Sequence, residues 1–207
     1  IDSPQLAGEP FPVTLTAQDV HNVTVTDFHG SVRLSGSTNR WMAIGTSMGV
    51  SDLPMKTSAN RVRTQAIYLT NEIGRARWVS ALALNVYMRP GQTLKDWTLR
   101  LKHTSLQKFT SSSTWESDGW TTVYQNDTTV TTTGWITFLF STPFYYNGAD
   151  NLMVDFSFNN TNHTSAGYCQ YTTVSSNRRL YGQANGTAEG APLDWSGTQP
   201  ARSLSPA

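Results

Sequence analysis

The sequence has little charge and almost no cysteine. Charged residues make up 14% of the 207 residues, against about 25% in typical soluble domains. The 15 Lys and Arg nearly balance the 14 Asp and Glu, and the net charge of +1 provides no basic field for counterion release, so we expect no nucleic-acid partner. The single cysteine, Cys169, excludes an internal disulfide, and no Cys/His set with zinc-ligand spacing accompanies it.

Long apolar runs are also missing. The longest candidates, residues 78–86 and 135–140, are far shorter than a bilayer-spanning segment, so we expect no membrane insertion. Residues 1–4 lack the basic and apolar leader of an export signal, which we therefore expect to have been removed or to lie upstream.

What the sequence does have is apolar alternation with a period of two. Clusters of Gly, Pro, Asn, Asp and Ser interrupt it, and the pattern predicts about ten short antiparallel strands. In residues 152–158 the alternation predicts that Leu152, Val154, Phe156 and Phe158 face the core and that Met153, Asp155 and Ser157 face the other side. The only helix candidate is one turn at residues 70–74. The predicted fold class is all-β, an antiparallel β-sandwich of jelly-roll type.

Two strand-level details follow from the same pattern. Residues 135–140 carry bulky side chains on both faces, which predicts a central strand, whereas Trp97 shares a face with Leu99 and Leu101 and is predicted to lie in the core. The tail, residues 201–207, has no periodicity and is predicted to follow the surface.

A composition break near residues 35–40 suggests two parts. Residues 6–34 read as three strands with a turn at His21-Asn22, which is too few for a stable unit. We therefore predict an N-terminal Ig-like strand segment or linker at residues 1–37, packed on a β-sandwich module at residues 38–207.

Two sets of segments carry a resemblance to known modules. SPQLAGEPFPVTLTA (3–17) and VTDFHGSVRLS (25–35) are similar to the opening strands of Ig-like repeats in secreted, modular bacterial proteins. RTQAIYL (63–69), IG (73–74), LALNV (82–86), WTLRLKHT (97–104), GWITF (134–138) and PFYYNGADNLMVD (143–155) are similar to a jelly-roll-like β-sandwich module near the ends of large secreted bacterial proteins, hydrolases and adhesin-like chains among them. The resemblance implies a secreted, extracellular accessory module, joined in its parent chain to catalytic or Ig-like domains. It carries over no catalytic motif.

Aromatic residues are the strongest functional signal. Seven Trp, eight Tyr and eight Phe stand in a chain of low charge, and aromatic rings stack on the apolar faces of sugars while short polar side chains bind the hydroxyls. The aromatics that the pattern places in polar loops, near turns or outside core positions are the predicted ligand-binding residues: Trp115, Trp120, Tyr124, Tyr145, Tyr146 and Trp195. The alternative is that these rings cap the ends of a sandwich.

Other constellations give weaker predictions. Asn147, Asp150 and Asn151 cluster in one loop and could bind a structural calcium ion, although turns favour the same residues for conformational reasons. Asp155 lies mid-strand on the face opposite the core, where it could serve a polysaccharide-degrading enzyme, or it could pair with Arg63 or Arg100.

Neither nucleophile candidate has the context of a catalytic residue. Ser47, in Gly45–Gly49, lacks the strand–Ser–helix context of a nucleophile elbow and is predicted to lie in a turn. Cys169 is predicted to be a small buried apolar residue.

Three functions compete. The leading hypothesis is a non-catalytic carbohydrate-binding module that tethers a neighbouring enzyme to a polysaccharide, motivated by the low-charge Ser/Thr surface and the aromatic set. The second is a structural or adhesion spacer without a ligand. The third, ranked well behind, is an enzyme built around Asp155.

Overall fold

The computed structural model of the chain describes residues 14–31, 41–45, 49–186 and 188–206. The chain divides into two units, Ile1–Ala43 and Ile44–Ala207. In the described part of the first unit, an isolated bridge between Gln18 and Thr24 closes a turn in which Asn22 has a positive φ of 62°. The predicted turn at His21-Asn22 is therefore present. The Ig-like assignment of residues 1–37 stays a prediction.

Strands dominate the second unit. They are β1 (Gly49–Ser51), β2 (Arg61–Tyr68), β3 (Arg77–Met88), β4 (Leu94–Thr104), β5 (Thr121–Thr128), β6 (Gly134–Tyr146), β7 (Asn151–Asn159), β8 (Tyr168–Tyr171), β9 (Asn177–Ala184) and β10 (Arg202–Pro206). The single predicted helical turn is present as α1 (Thr70–Ile73), which ends at Gly74 with φ 80°, and a 3-10 turn follows at Pro192–Asp194.

The strands form two antiparallel sheets whose order is that of a jelly roll. One sheet has the order β1-β8-β3-β6, and the other has the order β10-β9-β2-β7-β4-β5. Strands β1 to β8 thus divide into two groups of four with the interleaved order of two Greek keys, and β9 and β10 extend the second group. The predicted all-β jelly-roll sandwich is confirmed.

The main core lies between the two sheets, and the period-two pattern explains its composition. Leu152, Val154, Phe156 and Phe158 of β7 all belong to it, as predicted. Trp97 is fully buried and its ring lies 5.8 Å from Phe138 and 5.9 Å from Phe156. Rings of this size fill the interior of a small sandwich.

A second core covers the outer face of the six-stranded sheet. Ile67, Met153 and Leu180 project there from β2, β7 and β9, and Trp115 and Trp195 cover them from two loops. The backbone N–H of Trp115 donates to the carbonyl of Gly197 (3.0 Å) and joins the two loops. The six-stranded sheet is therefore covered on both faces over this region.

Several strand-level predictions need correction. Residues 135–140 are not central, because β6 is the edge strand of its sheet. The tail, for which the sequence predicts no strand, pairs with β9 as the edge strand Arg202–Pro206. Of the three strands predicted within residues 6–34, the described residues show only the isolated bridge between Gln18 and Thr24, and the rest of the prediction lies partly outside the described residues.

Candidate functional site

Three of the six predicted ligand-binding aromatics are buried. Trp115 and Trp195 pack together in the second core with ring centroids 5.8 Å apart, and the guanidinium of Arg63 lies 5.0 Å from the Trp115 ring. Tyr146 is fully buried in the main core, where its hydroxyl donates to the carbonyl of Asp150 (2.8 Å). Their expected placement outside the core is wrong.

The reason is the way in which β2 binds the covering loops. The stretch 111–120 is too polar to be buried throughout and stays mostly exposed, with Trp115 as its one buried residue. The partly buried carbonyl of Glu116 accepts hydrogen bonds from Arg63 Nη2, Gln65 Nε2 and Trp120 Nε1, at 2.9, 2.9 and 3.0 Å. Gln65 Oε1 in turn accepts from the backbone N–H of Glu116 (3.1 Å). Because strand side chains satisfy the loop backbone, the loop can lie on the sheet without a desolvation penalty.

Trp120 and Tyr124 are partly buried, and their rings contact other side chains of the protein. Arg100 and Lys102 lie over the Trp120 ring at 5.2 and 5.1 Å. Tyr124 makes an edge contact with Phe138 at 5.4 Å, and its hydroxyl lies 2.9 Å from Thr128 Oγ1. Cations over one face of an indole stabilise it where it is. The structure does not bring the six predicted aromatics together on one surface.

Asp155 is buried and paired, as one of the two sequence interpretations had it. Its carboxylate accepts hydrogen bonds from Arg63 Nε (3.0 Å) and Nη2 (2.8 Å), and it also forms an ion pair with Arg100. Gln65 Nε2 adds a longer contact of 3.4 Å. The pairing with Arg63 and Arg100 is confirmed. Arg63 also donates to carbonyls of the covering loops, so the buried Asp155 carboxylate supports these loops and does not face solvent.

The side-chain oxygens of Asn147 and Asn151 in the predicted calcium loop already accept hydrogen bonds from backbone N–H groups. Asn147 Oδ1 accepts from the backbone N–H groups of Ala149 and Asp150, both at 3.0 Å, and Asn147 Nδ2 donates to Asp150 Oδ2 (2.7 Å). Asn151 Oδ1 accepts from the backbone N–H of Thr70 (2.9 Å). No group of three His, Cys, Asp or Glu side chains among the described residues is placed to hold a metal ion. Calcium binding stays a prediction.

Of the two nucleophile candidates, only Cys169 lies among the described residues. Ser47 lies outside the described residues. Cys169 is buried on β8, and burial raises the pKa of its thiol to about 12. A thiol in this environment is neutral at physiological pH and a poor nucleophile, so the prediction of a buried apolar role is confirmed.

The open surface of the second unit is the outer side of the four-stranded sheet. We call it the open face and define it by the outward-pointing residues of β3, β6 and β8: Trp78, Ala81, Ala83, Asn85, Tyr87, Trp135, Thr137, Leu139, Tyr145 and Gln170. Their neighbours Val79, Leu82, Leu84 and Ile136 pack on the main core. Alternation therefore places the first set in solvent.

Large apolar side chains are exposed on the open face. Trp78 is 68% exposed, Trp135 62%, Leu139 72% and Tyr145 50%. Isolated exposed apolar residues are ordinary, but a group of them on one face marks an interaction surface. This is the feature of the second unit that has the chemistry of a binding site.

The exposed rings form two groups. Trp78 lies directly opposite Tyr145 in the register of β3 and β6, with ring centroids 5.2 Å apart at an interplanar angle of 59°. Trp135 lies opposite Asn85, with Tyr87 as its diagonal neighbour. Asn85 Nδ2 donates to Gln170 Oε1 (2.6 Å), which places two amide groups beside the second group of rings.

Sequence reasoning found one of these residues, Tyr145, and missed the others. The available signal was the bulk on the second face of residues 135–140, namely Trp135 and Leu139. Bulk on both faces predicts a central strand, whereas the structure leaves this face of an edge strand in solvent.

Comparison of the chain with protein-family models, with curated proteins and with solved structures gave no match. In the described part of the chain, no helix is long and apolar enough to cross a membrane.

Proposed function

We propose that the protein is a non-catalytic carbohydrate-binding module of a secreted protein and that it binds its glycan on the open face. The observation that carries the proposal is the exposure of Trp78, Trp135 and Tyr145 on one side of a rigid sheet. Exposed indole and phenol rings offer flat apolar surfaces for sugar rings, and neighbouring amides can bind hydroxyl groups.

The asymmetry between the two sheets supports this choice of surface. The outer side of the six-stranded sheet is occupied by Trp115, Trp195 and the loops that carry them. The open face has no such cover among the described residues of the second unit. Solvation of large apolar side chains is unfavourable, at about 25 cal/mol per Å² of apolar surface. Binding to a sugar polymer would remove that surface from water.

In its parent chain the module would hold a linked catalytic domain against a polysaccharide. Tethering of this kind raises the local concentration of an enzyme at its substrate without any new catalytic group. The buried, arginine-paired Asp155 is consistent with this role, because its carboxylate is engaged by Arg63 and Arg100.

Affinity electrophoresis tests the proposal. The protein is run in native gels containing hydroxyethylcellulose, xylan, galactomannan, amylopectin, polygalacturonate or alginate. We expect retardation by at least one polymer, and we expect Trp78→Ala and Trp135→Ala to reduce it. No retardation of the folded protein by any polymer in the panel would overturn carbohydrate binding and favour a spacer.

Trp41→Ala is the matched control. Trp41 is also 62% exposed, but it lies in the first unit and not on the four-stranded sheet. We expect this variant to be retarded as strongly as the unchanged protein. Equal weakening by all three substitutions would indicate non-specific adhesion of exposed indoles to the gel polymer.

A further inference from the structure

The open face differs between its ends and its middle. The Trp78–Tyr145 pair lies at one end and Trp135 with Tyr87 at the other. Between them the register pairs Ala81 with Leu139 and Ala83 with Thr137, and it shifts between Val79 and Ala81, opposite residues 139–144 of β6. The middle is therefore lined by Ala81, Ala83 and Thr137 together with one large aliphatic side chain, Leu139, and it carries no aromatic ring. The rings that could stack on a ligand stand apart.

The distance between the two groups follows from the strand geometry. Trp78 and Asn85, the cross-strand partner of Trp135, are both on β3. Seven residue steps separate them, which corresponds to at most about 23 Å of extended strand, with a bulge between Val79 and Ala81 along the way. A single sugar cannot contact both groups, whereas an extended chain of several sugars lying along the strands can.

Charge narrows the class of ligand. None of the outward residues that define the open face is charged. A uronate or sulfate group placed over the middle of the face would lose water without gaining an ionic partner, because the arginines nearest in the chain, Arg77 and Arg89, flank its two ends. Burial of an unpaired charge is costly. The hydrogen-bonding groups of the face are neutral amides and hydroxyls, among them Asn85, Thr137 and Gln170.

A second copy of the chain fits this surface less well. Residues that contribute most to protein–protein binding cluster near the centre of an interface, where Trp, Tyr and Arg are enriched. Here the aromatic rings are at the two ends, and the centre holds Ala81, Ala83, Thr137 and Leu139, none of which is Trp, Tyr or Arg. This distribution suits a long, narrow ligand.

From these observations we propose that the open face binds an uncharged, linear polysaccharide lengthwise along β3 and β6, in contact with both aromatic groups at once. The inference rests on the proposed function and specifies its ligand and binding mode. It predicts that affinity depends on chain length and on both ends of the face.

The experiment uses the full chain and the polymer that gives the strongest retardation. Isothermal titration calorimetry is carried out with oligosaccharides of increasing length from that polymer, on the unchanged protein and on Trp78→Ala, Trp135→Ala, the double variant and the Trp41→Ala control. Both target rings are solvent-exposed, so the variants should fold, and urea unfolding midpoints verify this.

We expect the strongest retardation with an uncharged polymer. We also expect affinity to rise with oligosaccharide length and to level off once the chain spans both groups. With a spanning oligosaccharide, each single substitution should weaken binding about tenfold, as expected for loss of one stacking contact. Trp41→Ala should bind like the unchanged protein.

Four results would overturn the inference while leaving carbohydrate binding intact. They are affinity independent of chain length, loss of binding from only one of the two substitutions, retardation by anionic polymers alone, and a dimer in sedimentation experiments that Trp135→Ala dissociates. Failure of every polymer to retard the protein would instead remove the proposed function itself.

Discussion

Replacement of Asp155 by asparagine removes a buried negative charge and nearly preserves the size of the side chain. Asp155 pairs with Arg63, which is fully buried, and with Arg100, whose side chain is 11% exposed. The variant leaves both guanidinium groups in place without their carboxylate. We expect a large loss of stability, concentrated in the loops that cover the six-stranded sheet.

The magnitude follows from the hydrogen bonds of Arg63. Its Nε and Nη2 donate to Asp155, Nη2 also donates to the carbonyl of Glu116, and Nη1 donates to the carbonyls of Pro192 (3.3 Å) and Trp195 (2.7 Å). The carbonyl bonds survive the substitution, but the charge is no longer compensated. Breaking a buried ion pair by removal of one partner costs about 3–5 kcal/mol, a large part of the roughly 5–15 kcal/mol that stabilises a typical domain.

Urea unfolding followed by circular dichroism measures this loss as a lower transition midpoint at unchanged slope. For a domain of this size, 4 kcal/mol corresponds to a decrease in Tm of roughly 8–16 °C. Asp127→Asn is the matched control, because Asp127 pairs with Lys95 on the surface, where both side chains are more than half exposed. We expect no measurable shift in its midpoint.

A midpoint for Asp155→Asn equal to that of the control would refute the reasoning. It would mean that the carbonyl acceptors around Arg63 suffice to hold its charge. Hydrogen exchange locates the effect, since increased exchange confined to residues 111–120 and 188–197 would show that the carboxylate holds the covering loops through Arg63.

Three further predictions test the packing. Trp115→Ala should lower stability by about 3–5 kcal/mol because it empties a buried site, whereas Trp135→Ala should change it by less than about 0.5 kcal/mol; equal effects in urea unfolding would contradict the assigned burial. Cys169 should resist a thiol reagent at pH 8 until the protein unfolds, because burial raises its pKa to about 12, and fast labelling of the native protein would count against this. Gly148→Ala should cost about 1–3 kcal/mol in thermal unfolding, because Gly148 has φ +73° and a Cβ there would lie 2.4 Å from the backbone nitrogen of Ala76; an unchanged Tm would contradict it.

The local pattern was enough to predict most of the strands. The alternation in residues 152–158 identified the core face of β7 correctly, because side chains of a strand point to opposite sides whatever the sheet order is. The same pattern failed for β6, since bulk on two faces does not distinguish a central strand from an edge strand with an exposed binding face. The tail at 202–206 has no alternation, yet it pairs with β9 through backbone groups that every residue carries.

The aromatic residues show a second limit. Trp115 lies in a polar, mostly exposed segment, whose composition predicts an exposed ring. Arg63 and Gln65, about fifty residues earlier in the chain, bind the backbone of Glu116 and hold the segment on the sheet, so that Trp115 is buried. Trp78 and Trp135 lie in strands and did not stand out as ligand residues. The polarity of the neighbouring residues therefore did not predict which tryptophans are exposed.

The sequence by itself determined the all-β class, the positions of most strands, the low charge and the side of β4 and of β7 that faces the core. Only the tertiary structure decided which outer face is covered and which is open. The physical reason is that strand alternation is a property of neighbouring residues, whereas the cover over the six-stranded sheet depends on hydrogen bonds between residues far apart in the chain, centred on Arg63 and Asp155. No loop of this kind covers the four-stranded sheet among the described residues of the second unit, and Trp78 and Trp135 on its outer side are in contact with solvent.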